Sequence, residues 1–305
     1  MSNPIRIGTR GSRLALIQTD LVAAGLKKFD PSLTTDNVLV TTKGDTNESP
    51  IPLDTVGKSW FTREIDELLL AGKIDLAVHS LKDLPLIVAP GLSLHIVLPR
   101  ADARDCLVAK TKTTLQNLVA GSVVGTDSVR RRALIMHARP DLQVKSIRGN
   151  VQTRLAKLQS DDYDAIILAA AGLERLDQSD IITEYLVPRT FVPASGQGAL
   201  AAVTRANDDK LIAALNHMVE PKTALSTAAE RAFSAHFGGG CQLPVGAYAE
   251  IDNKTITLTG FIAELEGPGL LRETVTGPAS DFDRLARDLA VSLRARSPFK
   301  LSYDD

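Results

Sequence analysis

Aromatic residues are scarce in this sequence. Phe, Tyr and Trp together make up 4% of it, so ring stacking does not dominate how it recognises a ligand. Charge imbalance is nearly absent: 35 Lys and Arg face 36 Asp and Glu, a formal net charge of −1. No global field therefore draws the chain to nucleic acid or to a membrane surface, and any anion site has to be local. The two cysteines, Cys106 and Cys241, are too few for a disulfide framework. No apolar run approaches the ~18 residues of a spanning helix. Met1-Ser2-Asn3-Pro4 leads straight into Ile5-Arg6-Ile7, without the basic start and apolar core of a secretory signal. These absences point to a cytoplasmic protein in a reducing compartment, with no membrane and no nucleic-acid partner. Internal repeats and low-complexity tracts are also missing.

What is present is an ordinary globular balance, 44% hydrophobic and 23% charged residues over 305 positions, enough for a sizeable core. At roughly 100–200 residues per domain the length fits two domains or three. Through the first two-thirds, short apolar runs alternate with polar turns and helical patterns. Ile5-Arg6-Ile7 leads to Gly8-Thr9-Arg10-Gly11-Ser12 and a helix with Leu14, Ile17, Leu21 and Ala24 spaced for one apolar face. Val38-Leu39-Val40 precedes a helix from Phe61 to Leu70 whose buried side carries Ile65, Leu68 and Leu69. Leu76-Ala77-Val78 ends in His79-Ser80-Leu81-Lys82-Asp83. Val123-Val124, Val144 to Ile147 and Ala165 to Leu168 repeat the pattern, each followed by a turn and a helix. Such alternation implies parallel sheets covered by helices, and strands that are apolar throughout imply burial of both faces. From about Glu220-Pro221 the pattern changes to a helix from Ala224 to Phe237, strands at Val245 to Glu250 and Thr255 to Phe261, and a closing helix from Asp281 to Leu293, a small α+β unit. A boundary between the first two lobes is expected near Leu98-Pro99-Arg100, and Phe191 to Gly198 reads as another connector.

In open parallel sheets, ligands bind beyond the carboxyl ends of the strands. The residues there are Arg10 and Ser12, then Lys82 and Asp83, then Thr126 to Arg131, then Arg148 and Arg175, with Arg154 one turn into its helix. A near-neutral chain has gathered guanidinium groups where its ligand should lie. Arginine forks match carboxylates or phosphates, and helix N-termini attract the same anions, so the implied ligand carries several negative charges. Any one of these arginines, taken singly, is equally explained by a surface ion pair. Asp83 is an acid among cations, suited to accepting N–H groups or stabilising positive charge, although a helix cap or an ion pair to Lys82 explains it as well. Cys241 follows three glycines, a place that suits either an accessible reactive thiol or a small buried residue. Cys106 lies in an apolar strand and reads as core. The five histidines show no metal-ligand spacing, and no metal is expected. Arg130-Arg131-Arg132 lacks the interleaved aromatics of a nucleic-acid surface, and Gly57-Lys58-Ser59 lacks the upstream glycine of a phosphate loop.

Taken in order, these motifs resemble those of the porphobilinogen deaminase (hydroxymethylbilane synthase) family. Arg6-Ile7-Gly8-Thr9-Arg10-Gly11-Ser12 is similar to the family's opening and His79-Ser80-Leu81-Lys82-Asp83-Leu84-Pro85 to its catalytic loop. Gly125-Thr126-Asp127-Ser128-Val129-Arg130-Arg131, Arg148-Gly149-Asn150-Val151 and Thr153-Arg154-Leu155 resemble its anion-binding segments. Ala170-Ala171-Gly172-Leu173 with Arg175, then Gly196-Gln197-Gly198-Ala199, continue the match, and Gly239-Gly240-Cys241-Gln242 looks like its cofactor-attachment loop. The likeness runs from about residue 5 to residue 250. It implies an α/β fold of two periplasmic-binding-protein-like, doubly wound domains flanking a cleft, plus a small C-terminal α+β domain. The expected divisions are 1–98 with 199–217, then 99–198, then 218–305.

The resemblance also implies the chemistry. A dipyrromethane cofactor, made of two porphobilinogen units, is held by a thioether to Cys241. Four further porphobilinogen molecules join it in turn, each losing ammonia, and water releases the tetrapyrrole. Arg130, Arg131, Arg148, Arg154 and Arg175, with Ser80, Lys82, Thr126 and Ser128, would hold the acetate and propionate groups. Arg10 and Ser12 would lie on the incoming unit or the chain end, and Asp83 would stabilise the azafulvenium-like cation left by ammonia. Lys58 and Phe61 match a loop that covers the cleft, and a monomer is implied. Four positions depart from the family pattern: Asp127 where Ser is frequent, as a helix cap or a weakener of cofactor binding, and Asp54, Trp60 and Gly238 at the rim. Competing readings are a two-lobed anion-binding protein without catalysis, an inactive paralogue and, more distantly, a nucleic-acid protein.

Overall fold

The computed structural model describes residues 3–43, 62–238 and 243–299. The chain begins with β1 (Ile5–Thr9), α1 (Arg13–Phe29), β2 (Thr35–Leu39), α2 (Arg63–Leu70), β3 (Leu76–Ser80) and β4 (Leu92–Val97). It continues with β5 (Asp105–Ala109), β6 (Val123–Gly125), α3 (Val129–Ala138), β7 (Gln143–Lys145), α4 (Val151–Leu158), β8 (Ala165–Ala169), α5 (Ala170–Arg175) and β9 (Glu184–Tyr185). Then come β10 (Leu200–Arg205), α6 (Asp209–Asn216), α7 (Pro221–Ala235), β11 (Val245–Asp252), β12 (Thr255–Ala263), β13 (Leu270–Pro278) and α8 (Phe282–Ala295). Two five-stranded sheets, ordered β2-β1-β3-β10-β4 and β7-β6-β8-β5-β9, make two doubly wound α/β lobes, and β11-β12-β13 make a small antiparallel sheet.

The apolar runs at the centre of each sheet are buried on both faces, as their composition predicts, whereas the Val38-Leu39-Val40 run lies at a sheet edge with Leu39 64% exposed. In β3, Leu76 and Val78 join one core cluster of the first lobe while Ala77 joins the other. In β8, Ala165 and Ile167 face one side of the second sheet, and Ile166 and Leu168 the other. The small sheet buries Ile256, Leu258 and Ile262 against Ala229 and Phe233 of α7 and Leu289 and Leu293 of α8. Its opposite face carries Phe261 and Ala263 into the second lobe's core, which docks the third unit there. Among the described residues no helix is long and apolar enough to cross a membrane.

The expectation of parallel sheets holds for β1, β2 and β3 and for β6, β7 and β8. It fails for β10 and β5, which run antiparallel to both neighbours. Each of these strands starts just after the chain crosses between lobes. It therefore enters its sheet from the cleft end and runs the opposite way, with Asp105 opposite Ala169 and Leu200 opposite Ser80.

The helix α1 also differs from its apolar spacing. Gln18, Thr19, Val22 and Leu26 are buried, whereas Leu21 is 42% exposed and Ala24 lies on the surface. The rotation has a packing cause. Met218 lies so close over Gly25 that a Cβ there would overlap its terminal methyl, and Gln18 turns inward to donate to the Ser80 hydroxyl at 2.8 Å.

The two crossings run side by side. Ala101 N–H donates to the Gly198 carbonyl at 3.2 Å, and Gly198 sits at φ +88°, where any Cβ would strike the Ala101 carbonyl oxygen. The third unit grips both strands of this hinge. Glu230 of α7 accepts from both terminal nitrogens of Arg100, at 2.7 and 3.0 Å, and from Gly196 N–H at 2.7 Å and Ala249 N–H at 2.9 Å.

Candidate functional site

The cleft ends of the two sheets present helix starts fixed by short polar caps. Ser12 caps α1 by accepting from Ala15 N–H at 3.3 Å. Ser128 caps α3 by accepting from Arg131 N–H at 3.4 Å, and the Thr126 hydroxyl accepts from Ser128 N–H at 3.2 Å. Asn150 caps α4 through Thr153 N–H at 2.9 Å. Asp127 is not a cap. Its carboxylate accepts from the Ser146 hydroxyl at 2.6 Å and pairs with Nε of Arg148 at 3.2 Å.

Beneath these helix starts lies a buried charge network centred on Asp105, which is wholly inaccessible. Arg130 reaches Asp105 at 2.8 Å and donates to the Val192 carbonyl at 2.6 Å. Arg131 donates to Asp105 through Nη2 at 2.7 Å and Nε at 3.1 Å, and to the Ile167 carbonyl at 2.9 Å. Gln197 donates to Asp105 at 2.9 Å and to the Ala103 carbonyl at 2.8 Å, while its own oxygen accepts from Lys82 at 3.1 Å. Burial on its own raises the Asp105 carboxyl, but the Arg130 and Arg131 charges outweigh it and hold the group well below the usual carboxylate range. Both arginines are structural members of this network, with side chains 5% and 7% exposed.

Above the network the charges of the two lobes meet. Burial lowers the Lys82 ammonium to about 8, and Arg131 and Arg130 push it the same way against Asp83 and Asp105. Burial likewise lowers Arg154 of α4 to about 10, with Arg131 and Arg148 adding to the shift while Asp127 and Asp83 oppose it. Asp83 ends a one-turn 3-10 segment, Leu81–Asp83, directly after β3; it is exposed, and its charge acts both on Lys82 of its own lobe and on Arg154 of the other. Arg10 stands beside His79, whose imidazole is held near 4 by burial and then by the Arg10 charge. Arg175 donates to the Gly198 carbonyl at 2.7 Å, and burial lowers it too. Arg154 donates to the Gly149 carbonyl at 2.8 Å. Cys106 is core: its thiol faces the Leu168 carbonyl at 3.6 Å and burial pushes it up to about 12.

Ser80, Lys82 and Asp83 of the first lobe thus share one cleft with Thr126, Ser128, Arg131, Arg148 and Arg154 of the second, and Arg10 and Ser12 lie at the cleft end of β1. Cys241, Lys58 and Phe61, together with Asp54 and Trp60, lie outside the described residues. Two central residues had no role in the sequence reading. Asp105 was hidden inside an apolar strand, and Gln197 inside a connector. Their signal was topological: a strand entering from a crossing places its first residue, not its last, at the cleft.

Comparison with known proteins finds relatives of this sequence. The family profile described as "Porphobilinogen deaminase, dipyromethane cofactor binding domain" matches residues 5–213, and "Porphobilinogen deaminase, C-terminal domain" matches residues 224–295. The porphobilinogen deaminase of Syntrophotalea carbinolica is 44% identical over 296 residues, covering 97% of this chain and 94% of the relative. Those of Geobacillus kaustophilus and Bacillus subtilis are 45% and 42% identical, covering 95% and 91% of this chain and 93% and 89% of theirs. Among solved structures, a Salmonella typhimurium periplasmic binding protein of high arginine specificity is 13% identical with a TM-score of 0.39, covering 73% of this chain and 94% of that one.

Proposed function

The chain belongs to the porphobilinogen deaminase family, and from that premise we propose how its own residues carry the reaction. It is a transferase of tetrapyrrole biosynthesis that joins porphobilinogen units head to tail with loss of ammonia on a dipyrromethane primer, then frees hydroxymethylbilane with water. The donor set suits a dipyrromethane, whose acetate and propionate groups are anions and whose ring N–H groups are donors. Lys82 and Arg154 supply cations, and Asp83 supplies an acceptor that both of them sense. When bound, the primer contributes the free pyrrole carbon to which the next unit is joined.

Asp83 accepts the pyrrole N–H of the reacting ring and stabilises the cation formed as ammonia leaves porphobilinogen. A fixed carboxylate costs no reorganisation when that charge develops. Lys82, Arg148, Arg154 and Arg175 take ligand carboxylates, with Ser80, Thr126 and Ser128 adding hydroxyl and cap contacts. Arg130 and Arg131, engaged with Asp105, add their field from below. Arg10 and Ser12 receive the incoming unit, Lys58 and Phe61 belong to a covering loop, and Cys241 anchors the primer through a thioether. The three domains divide as 1–98 with 199–217, 99–198 and 218–305. We take the protein to be a cytoplasmic monomer without nucleic-acid or membrane partners; its near-neutral charge and its need for a reduced thiol support that reading.

One observation carries the proposal: Lys82 of one lobe and Arg154 of the other both sense the Asp83 carboxylate, so the charges of both lobes meet at it. The test is the intact mass of the purified, denatured protein. We expect an excess of two porphobilinogen units less their ammonia, absent in Cys241→Ser. We expect Asp83→Asn to keep fold and primer while losing most turnover. Near-normal product formation by Asp83→Asn removes it from the role. A bare mass that porphobilinogen does not change would favour a binding protein without catalysis.

A further inference from the structure

Arg148 already holds a carboxylate belonging to the protein. Its Nε lies 3.2 Å from Asp127, and the two side chains are 16% and 35% exposed, so the pair sits at the cleft surface rather than in the core. Asp127 has a second anchor, the Ser146 hydroxyl at 2.6 Å on its other oxygen, and this fixes the carboxylate in front of the guanidinium. It also reaches Arg154 electrostatically, the next cation along the same wall. Helix capping does not account for this placement, because Ser128 performs that task. An arginine edge that holds one carboxylate has to release it before it grips another in the same manner.

We propose that Asp127 is a built-in stand-in for a ligand carboxylate, occupying Arg148 until the acetate or propionate of a pyrrole chain displaces it. This rests on the reading of Arg148 as a ligand cation. Exchange conserves the ion pair on the arginine, and the released Asp127 keeps its bond to Ser146. The stand-in therefore does not prevent binding. It raises the threshold, so that weakly held anions leave Arg148 undisturbed while a multiply charged pyrrole chain exchanges with Asp127. Asp127 is thus a specificity-determining residue for carboxylate-rich ligands.

The test is a double-mutant cycle on the full chain as purified: wild type, Asp127→Asn, Arg148→Ala and the double variant, each titrated calorimetrically with mellitate, a hexacarboxylate. Asn keeps a side-chain oxygen for Ser146 and removes the charge. Exposed pairs of this kind correspond to at most about a fivefold change in affinity. We expect Asp127→Asn to tighten mellitate by about that factor when Arg148 is present and by much less when it is Ala. We also expect it to lower KM for porphobilinogen without raising kcat. Equal tightening in both backgrounds would show a general field effect and overturn the proposal, as would mellitate binding that is absent or indifferent to both changes. The covalent primer mass is read on the same samples. Coupling without a primer would leave the stand-in and sink the reaction reading, whereas a primer without coupling would do the reverse.

Discussion

Replacing Asp105 by Asn removes the negative charge on which Arg130 and Arg131 converge. Its carboxylate faces Arg130 at 2.8 Å and Arg131 at 2.7 Å, and all three side chains are essentially out of water. The substitution keeps the shape and an oxygen for Gln197 and Arg131, so the loss is mainly electrostatic. Two guanidiniums are left buried without a counter-charge, beside Lys82, which Gln197 holds at 3.1 Å. Removing one partner of a buried ion pair costs about 3–5 kcal/mol, mostly the penalty of the charge left behind. Retained hydrogen bonds place Asp105→Asn at the lower end, about 3 kcal/mol. That is a large share of a total stability on the order of 5–15 kcal/mol.

Urea unfolding followed by far-UV circular dichroism at pH 7.5 measures the difference, and mellitate added to the variant should restore part of it by supplying the missing negative charge. The sign of the pH dependence is fixed as well. Because the folded carboxyl is held below the ordinary 3.8, its contribution is complete above that value and is lost only as pH falls below it. The gap between wild type and variant should therefore be flat from neutrality down to about pH 5. A loss under ~1 kcal/mol, or a gap that closes near neutrality, would refute the view that Asp105 is the counter-ion of both arginines.

Two further outcomes follow from titrating groups in the same cleft. His79 is held near 4 by burial and the Arg10 charge against an ordinary 6.5, so the unfolded chain takes up a proton that the folded one refuses. Stability should fall by about 3 kcal/mol between pH 6.5 and 4, and His79→Gln should flatten that slope in urea titrations; an unchanged slope would show that the imidazole is not the cause. Lys82, lowered to about 8, should lose its charge within the working range, so kcat/KM for porphobilinogen should decline as pH rises through 8. In Lys82→Arg that decline should vanish, and its persistence would assign the titration to another group.

The sheets were legible because their central strands are apolar throughout, and strands buried on both faces select such runs, while the edge strands β2 and β7 are polar and exposed. Leu76 to Val78 and Ala165 to Leu168 therefore read correctly from composition alone. The inward face of α1 was not legible. Spacing favours its leucines, but the contact is made by Gly25 beneath Met218, two residues far apart in sequence. The exposed Asp83 was legible because it follows a strand in the ordinary direction. Asp105 was not, because its strand is reversed, and nothing in Asp105-Cys106-Leu107-Val108 announces which end meets the cleft.

Reversal also explains why the arginines divide into two kinds that sequence position does not separate. Arg130 and Arg131 follow the carboxyl end of β6 just as Arg148 follows β7, yet the first two turn down onto the start of β5 and the third stays at the rim. An acid at the head of a reversed strand ties nearby anion-binding candidates to the scaffold, since a guanidinium engaged by a buried carboxylate and a carbonyl offers only its remaining donors to a ligand. The excess of positive charge survives this pairing, because one carboxylate cannot balance two guanidiniums and Lys82. The fixed network thus supplies a steady field, and the exchange proposed for Arg148 is confined to the rim, where its pairing with Asp127 is more open to water than the pairs on Asp105.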